Sequence, residues 1–142
     1  MTVIVRDFRP ADAEDRVRVR RTALPYMVTT PEQVVLDLAT ARPDKRYRML
    51  VAEEDGEVAA FALAETGGVN RYRSGMTGTR RAYRGRRPAK LAKNGSLHRA
   101  RDAGYTDAYT GNDAGNRPMP AIDRRLGDEI CTTEVRHVRR FD

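Results

Sequence analysis

The chain has 142 residues, of which 39% are hydrophobic and 33% charged, enough to fill one ordinary domain core but not two. Its 27 Lys and Arg against 20 Asp and Glu give a net charge of +7, which favours an anionic partner: nucleic acid, a membrane surface or a phosphorylated small molecule. No apolar run approaches the roughly 20 residues that span a bilayer, and a lone cysteine, Cys131, excludes an intramolecular disulfide framework.

Val3 to Phe8 alternates apolar and polar residues and predicts a first strand. Asp12 is placed to cap a helix that carries Glu14 and Asp15 in its first turn and runs to about Leu24, where Pro25 ends it. Thr30-Pro31-Glu32-Gln33 is a second helix start, with Thr30 as N-cap, Pro31 at the first helical position and Gln33 completing a capping box. Val34, Val35, Leu38 and Ala39 follow at helical spacing, and Pro43 stops the element. Tyr47 to Glu53 and Val58 to Ala64 read as strands joined by an Asp55-Gly56 turn. A further strand is expected from about Ser74 to Arg81, then a helix from Pro88 with a face of small residues, Ala89, Ala92, Ser96, Ala100 and Ala103. Gly95 in its middle costs about 1 kcal/mol of helix propensity, and Gly104 is a natural stop. Tyr105 to Thr110 reads as a strand, Asn116 to Leu126 as a helix ended by Gly127, and Ile130 to Val138 as a last strand. This order predicts one α+β domain over residues 1–142, with a mixed, mostly antiparallel central sheet flanked by helices.

The charge is concentrated. Arg80, Arg81, Arg84, Arg86, Arg87, Lys90, Lys93, Arg99 and Arg101 fall in one stretch, and no acidic residue lies between Glu65 and Asp102, which excludes a carboxylate base on the strand before the helix. Arg84-Gly85-Arg86-Arg87-Pro88-Ala89 combines a turn with a helix start. The exposed N–H groups and the positive end of the helix dipole there form an anion site, to which guanidinium groups add charge-assisted hydrogen bonds. The segment is neither GxxxxGK[ST] nor GxGxxG. The alternative reading of the same residues is a solvated basic turn.

Arg84 to Ala89 is similar to the R-x-x-G-x-G/A pyrophosphate loop of the GNAT superfamily, the acyl-CoA-dependent N-acyltransferases. Thr110 to Met119 resembles that superfamily's fifth strand and following helix, Ala121 to Gly127 its helix end, and Arg20 to Glu32 its first two helices. The resemblance implies that acetyl-CoA binds where the fourth and fifth strands splay apart. Its diphosphate would sit on the N–H groups from Arg84 to Ala89 (Arg84, Gly85, Arg86, Arg87, Pro88, Ala89), and its pantetheine would pair with the backbone around Thr79, Arg80 and Arg81. A primary amine, small or on a peptide, would attack the thioester directly in a ternary complex. Catalysis would come from holding the reactants together and polarising the carbonyl, with no metal required. One Cys and two His (His98, His137) also give zinc too few ligands.

Other residues stay open between two roles. Asn112 and Asn116 either contact cofactor or cap a helix. Asp113 is a base or a surface residue, and Asp123 is catalytic, a helix-surface residue or a cofactor-side contact. Tyr26 and Met27 shape the acceptor pocket or pack, as does Tyr109. Cys131 is expected as small core filling, and His98 and His137 at the surface. The chain departs from the superfamily pattern at Arg87, where Gly is usual, at Asp123, where Tyr or Asn is usual, at Pro120 inside the last helix, and at Asp128 after Leu126-Gly127. These departures motivate a rival reading, a CoA- or nucleotide-binding regulatory module without turnover. A nucleic-acid-binding role for the basic stretch is a second rival, disfavoured by the absence of aromatic residues between Arg84 and Arg101. The first residues show no basic, apolar and small-residue succession of a secretory signal. The expectation is a cytoplasmic monomer or homodimer, away from membranes.

Overall fold

The near-continuous apolar runs Met49–Ala52 and Val58–Ala62 become strands because each can then bury both of its faces, one under each layer of helices. A computed structural model describes residues 2–23, 30–39, 46–67, 71–112, 115–135 and 137–141. Tyr26, Met27 and Asp113 lie outside the described residues. The chain groups into two compact units, Met1–Gly111 and Asn112–Asp142.

In the first unit the described residues form a five-stranded sheet whose spatial order follows the sequence: β1 (Val3–Asp7), β2 (Arg46–Glu54), β3 (Glu57–Gly67), β4 (Arg71–Thr79) and β5 (Ala108–Tyr109). The first three pairings are antiparallel and the β4–β5 pairing is parallel. The helices are α1 (Ala13–Ala23), α2 (Pro31–Ala39) and α3 (Pro88–Asp102). The α+β expectation of a mixed, mostly antiparallel sheet flanked by helices is met.

Local chemistry accounts for several boundaries. Thr30 Oγ1 accepts the Gln33 N–H at 3.2 Å, the N-cap bond read from the sequence. Asp55 and Gly56 have φ of 50° and 86°, the pair of left-handed residues that closes a tight hairpin between β2 and β3. Asp12 does not cap α1 in the expected way. It ends a short 3₁₀ turn, Pro10–Asp12, and its carboxylate folds back to accept the Arg9 N–H at 2.7 Å and two hydrogen bonds from Arg6 at 2.8 and 2.9 Å. Arg6 also binds Glu53 at 2.8 Å, so one guanidinium ties β1 to β2 and to the turn before α1.

The two faces of the sheet are built from different side chains. Met49, Val51 and Phe61 pack with Val19 of α1 and, at the margin, Leu38 of α2. The buried Arg16 guanidinium lies 4.2 Å from the centre of the Phe61 ring. On the other face, Ala52, Ala60 and Ala62 meet Ala89 and Ala92 of α3, and Ala64 and Tyr72 meet Ala100. Alanine against alanine lets the helix lie close to the sheet. Gly95 belongs to this arrangement: a Cβ there would stand 3.0 Å from Val5 Cγ1, so the propensity lost in the middle of α3 permits its close crossing of β1. Ala103, expected on the small face, is exposed at the helix end.

β4 starts three residues before the expected position and ends at Thr79, and β5 pairs over two residues only. β4 also carries one extra residue between the partners of Ala62 and Ala64, a bulge that bends it.

In the second unit, α4 spans Pro118–Leu126, and Gly127 ends it with φ of 96°. The helix starts two residues later than expected, which places Pro120 in its first turn, where an N–H would have no helical partner. Pro120, expected inside the last helix, therefore breaks no intrahelical hydrogen bond. No strand forms among the described residues of 130–138. Ile130, Val135, Val138 and Phe141 are exposed, as is Cys131, which is not core filling. β-Branched composition there supplied local preference without a neighbouring strand to pair with.

Candidate functional site

After Thr79 the chain leaves the sheet through Arg80, whose N–H donates to Ala59 O at 2.8 Å, and makes a 3₁₀ turn at Arg81–Tyr83. Gly85 follows with φ of 83°, and Arg87, the residue before α3, has φ of 67° and ψ of 26°. Pro88 opens the helix, where its missing N–H leaves no bond unmade. A Cβ at Gly85 would meet nothing within 4 Å, so the glycine is required by its backbone angle rather than by crowding.

The amides of this loop divide into two sets. Tyr83, Arg84 and Arg86 donate backward to Arg80, Arg81 and Tyr83 carbonyls at 2.9, 3.3 and 3.4 Å. The N–H groups of Gly85, Arg87, Ala89 and Lys90 have no carbonyl partner among the described residues, the first intrahelical bond being Leu91 N–H to Arg87 O at 3.3 Å. Open donors and the positive pole of α3 thus coincide.

Beside the loop, β4 and β5 diverge. They pair only at Tyr72–Ala108 and Arg73–Tyr109, while β4 continues to Thr79. The outer edge of β4 from Ser74 to Thr79 therefore has no strand beside it among the described residues. An extended ligand can use such an edge as a strand would. Between α3 and the sheet, the buried hydroxyls of Tyr72 and Ser96 hydrogen-bond each other, and burial pushes the Tyr72 phenol above its usual range.

The arginines expected to act together do not share one role. Arg86 Nη1 donates to Glu54 Oε1 at 2.8 Å, and its guanidinium lies 5.7 Å from the Tyr83 ring centre. Arg80 pairs with Glu57 at 3.6 Å, and the Tyr83 hydroxyl donates to the same carboxylate at 2.5 Å. That bond from the phenol to Glu57 raises the Tyr83 pKa. Farther along α3, Arg99 pairs with Asp7, and Arg101 pairs with Asp102 and reaches His98 Nδ1 at 3.0 Å. Arg81, Arg84, Arg87 and Lys90 make no ion pair among the described residues. Glu54, Glu57 and Tyr83 were not expected at the site. The available signal was that Glu54 shares the inward register of Leu50 and Ala52, where a carboxylate needs a cation.

Asn112, Asn116 and Asp123 belong to the second unit. Asn112 Nδ2 donates to Asp123 Oδ2 at 2.6 Å, and Asp123 is only 5% exposed. Asp123 is thus buried, not a helix-surface residue. Asn116 is exposed and precedes Arg117, the N-cap residue of α4, so it does not cap that helix. Tyr109 is exposed in β5. Among the described residues no three His, Cys, Asp or Glu side chains are grouped to hold a metal ion, and no helix is long and apolar enough to cross a membrane.

No family model and no curated protein matches the sequence. Solved structures do match the fold. The AAC(6')-Iy aminoglycoside N-acetyltransferase, solved with a CoA-S-monomethyl-acetylneamine bisubstrate analogue, is 14% identical over 99% of this chain and 100% of its own, with a TM-score of 0.81. A transcriptional regulator from Bacillus halodurans C-125 is 13% identical over 97% and 100%, with a TM-score of 0.80. The ribosomal-protein-S18-alanine N-acetyltransferase of Escherichia coli is 11% identical over 89% and 77%, with a TM-score of 0.71. The chain has the fold shared by these structures, the acyl-CoA N-acyltransferase fold.

Proposed function

We propose that this chain, which has the acyl-CoA N-acyltransferase fold, is an N-acetyltransferase that moves an acetyl group from acetyl-CoA to a primary amine in a ternary complex. The observation that carries the proposal is the set of outward amides at Gly85, Arg87, Ala89 and Lys90 beside the unpaired edge of β4. A diphosphate fits these donors chemically. Four N–H groups, a helix N-terminus and the cations of Arg81, Arg84 and Arg87 complement its charge, and the carboxylates that touch the loop, Glu54 and Glu57, are paired with Arg86 and Arg80.

In this reading acetyl-CoA supplies the activated thioester. The loop holds the diphosphate, and the free edge of β4 up to Thr79 holds the extended arm and directs N–H groups at the carbonyl. Arg80, whose N–H is spent on Ala59 O, and Arg81, in the turn beyond the strand, do not take the part expected of them. Position and polarisation then account for most of the acceleration. The acceptor is a small amine or a peptide amine, as the aminoglycoside and ribosomal-protein acetyltransferases of the same fold suggest. Acceptor contacts fall to Tyr26 and Met27, cofactor contacts to Asn112 and Asn116, and a proton-accepting role to Asp113. The whole chain works as one domain in the cytoplasm, as a monomer or homodimer and without a metal. Nucleic acid is a poor partner because much of the basic stretch is neutralised internally, by Glu54, Glu57, Asp7 and Asp102.

Calorimetry with CoA and desulfo-CoA, followed by thiol release against a panel of amines, tests the proposal. Binding of both ligands and turnover with at least one amine are expected; no heat at millimolar ligand removes the reading. A second reading, a CoA-binding regulatory module without turnover, is favoured by the hydrogen bond that occupies Asp123 and by the likeness to the Bacillus regulator. It requires stabilisation by CoA with no thiol release from any amine.

A further inference from the structure

The arginine-rich loop poses an electrostatic problem. Arg80, Arg81, Arg84, Arg86 and Arg87 lie within eight consecutive residues and repel one another in the absence of a ligand. Two carboxylates flanking the Asp55–Gly56 turn answer it. Glu54, the last residue of β2, is 3% exposed, and its Oε1 accepts from Arg86 Nη1 at 2.8 Å. Glu57, the first residue of β3, takes Arg80 at 3.6 Å and the Tyr83 hydroxyl at 2.5 Å. Arg86 completes the set by lying 5.7 Å from the Tyr83 ring centre. The hairpin tip itself is held, because Thr2 N–H donates to Asp55 Oδ1 and Asp55 N–H donates to Thr2 O, both at 2.9 Å.

We propose that Glu54 is a positioning residue for the diphosphate loop, acting through Arg86 with Glu57 as its partner on Arg80 and Tyr83. This deepens the N-acetyltransferase reading and rests on it. The burial asymmetry supports the assignment. The Glu54 side chain is 4% exposed and that of Arg86 55%, so the carboxylate is fixed in the protein and the arginine is drawn in to neutralise it. Arg86 is then a strut, its charge spent on Glu54, and the ligand-facing cations are Arg81, Arg84 and Arg87. Holding Arg86 at this point, between Gly85 and Arg87, fixes the bend that turns the amides of Gly85, Arg87 and Ala89 outward.

The test uses the full chain and the variants Glu54→Gln, Arg86→Gln, Arg86→Lys and the Glu54→Gln/Arg86→Gln double variant. Without ligand, hydrogen exchange over residues 81–90 is expected to speed up in Glu54→Gln and Arg86→Gln, while exchange in the strands of the β2–β3 hairpin is unchanged. With CoA in the calorimeter, each single Gln variant is expected to bind about tenfold more weakly, the effect of weakening roughly one charge-assisted hydrogen bond to the diphosphate. The double variant should be no weaker than either single one, and Arg86→Lys, which keeps a cation opposite Glu54, should restore most of the affinity. In turnover, the KM for acetyl-CoA should rise and that for the amine should not. Arg86 is half exposed, so its variants decide the matter even where Glu54→Gln fails to fold. If Arg86 touched the diphosphate itself, Glu54→Gln would free it and tighten binding, and the single losses would add; either result overturns the proposal. Failure of the wild type to bind CoA would instead remove the acetyltransferase reading, and the exchange of the free chain would still decide whether Glu54 holds the loop.

Discussion

At the scale of single residues, Arg87 concentrates the tension between fold and ligand. Its left-handed backbone is where an L-residue loses about 1–2 kcal/mol, whereas glycine there loses about 0.5–1 kcal/mol through its freer unfolded chain. Arg87→Gly should therefore stabilise the protein by about 0.5–1 kcal/mol in urea denaturation, and Arg87→Val, β-branched, should destabilise it. Identical midpoints for all three would contradict the left-handed assignment. The glycine variant also removes an unpaired cation beside the open amides, so its CoA affinity should fall as its stability rises. Asp123 is the opposite case, a group whose surroundings assign it before any ligand does. Its carboxylate is buried and accepts from Asn112, an arrangement that ties the start of the second unit to α4. Asp123→Ala should cost about 1 kcal/mol by removing the hydrogen bond from Asn112, whose exposed amide water can then satisfy, and the pH profile of acetyl transfer should keep its shape. Loss of one limb of that profile would return Asp123 to proton transfer.

At the scale of elements, the close approach of α1 to the sheet depends on Gly78. A Cβ there would stand 2.7 Å from Val19 Cγ1 and 2.8 Å from Phe61 Cε1 and Cζ, inside the core shared by α1, β2 and β3. Gly78→Ala should destabilise by about 1–3 kcal/mol, the usual cost of overpacking, measured as a lower urea midpoint with an unchanged m-value. A neutral result would show that α1 is free to move off β4. The strand was legible from about Ser74 but the part Gly78 plays in it was not, because alternation reports which face a residue occupies and not how near the opposing layer comes. The same limit applies to Gly95. Features fixed by neighbours in the chain were legible: the Thr30 cap, the Asp55–Gly56 hairpin, the small face of α3 and the turn with its helix start at Pro88. Those fixed across the chain were not. The Glu54–Arg86 pair joins residues 32 apart, and the expected Ile130–Val138 strand had β-branched side chains but no partner strand among the described residues. Pro120 was misread by a shift of only two residues in the start of α4, since a proline's cost depends on which turn of the helix it occupies.

At the scale of the molecule, a chain with a net charge of +7 is vulnerable on the acid side, since every carboxylate that protonates adds to the excess. Asp12 is the carboxylate whose protonation should matter most to the sheet, because it binds Arg6, the residue joining β1, β2 and the turn before α1. Burial alone would raise its pKa, but the hydrogen bonds from Arg6 and the Arg9 N–H outweigh burial and hold it below the usual carboxylate value. A carboxyl whose pKa is lower folded than unfolded binds more protons in the unfolded chain. Its stabilisation is complete above the unfolded value of about 3.9 and drains away as pH falls through the lower, folded value. Asp12→Asn should therefore be less stable than the wild type at neutral pH, by about 1–3 kcal/mol for a charge-assisted bond. The gap should narrow steadily below about pH 4, where the wild type must also protonate Asp12. Denaturation of both proteins across pH 7 to 2.5 at constant ionic strength checks this, and general charge repulsion, common to both, cancels in the difference. A gap that stays constant to the acid end would mean that Asp12 contributes shape and hydrogen bonds but no ionisation, and that the acid sensitivity of the fold lies with other carboxylates.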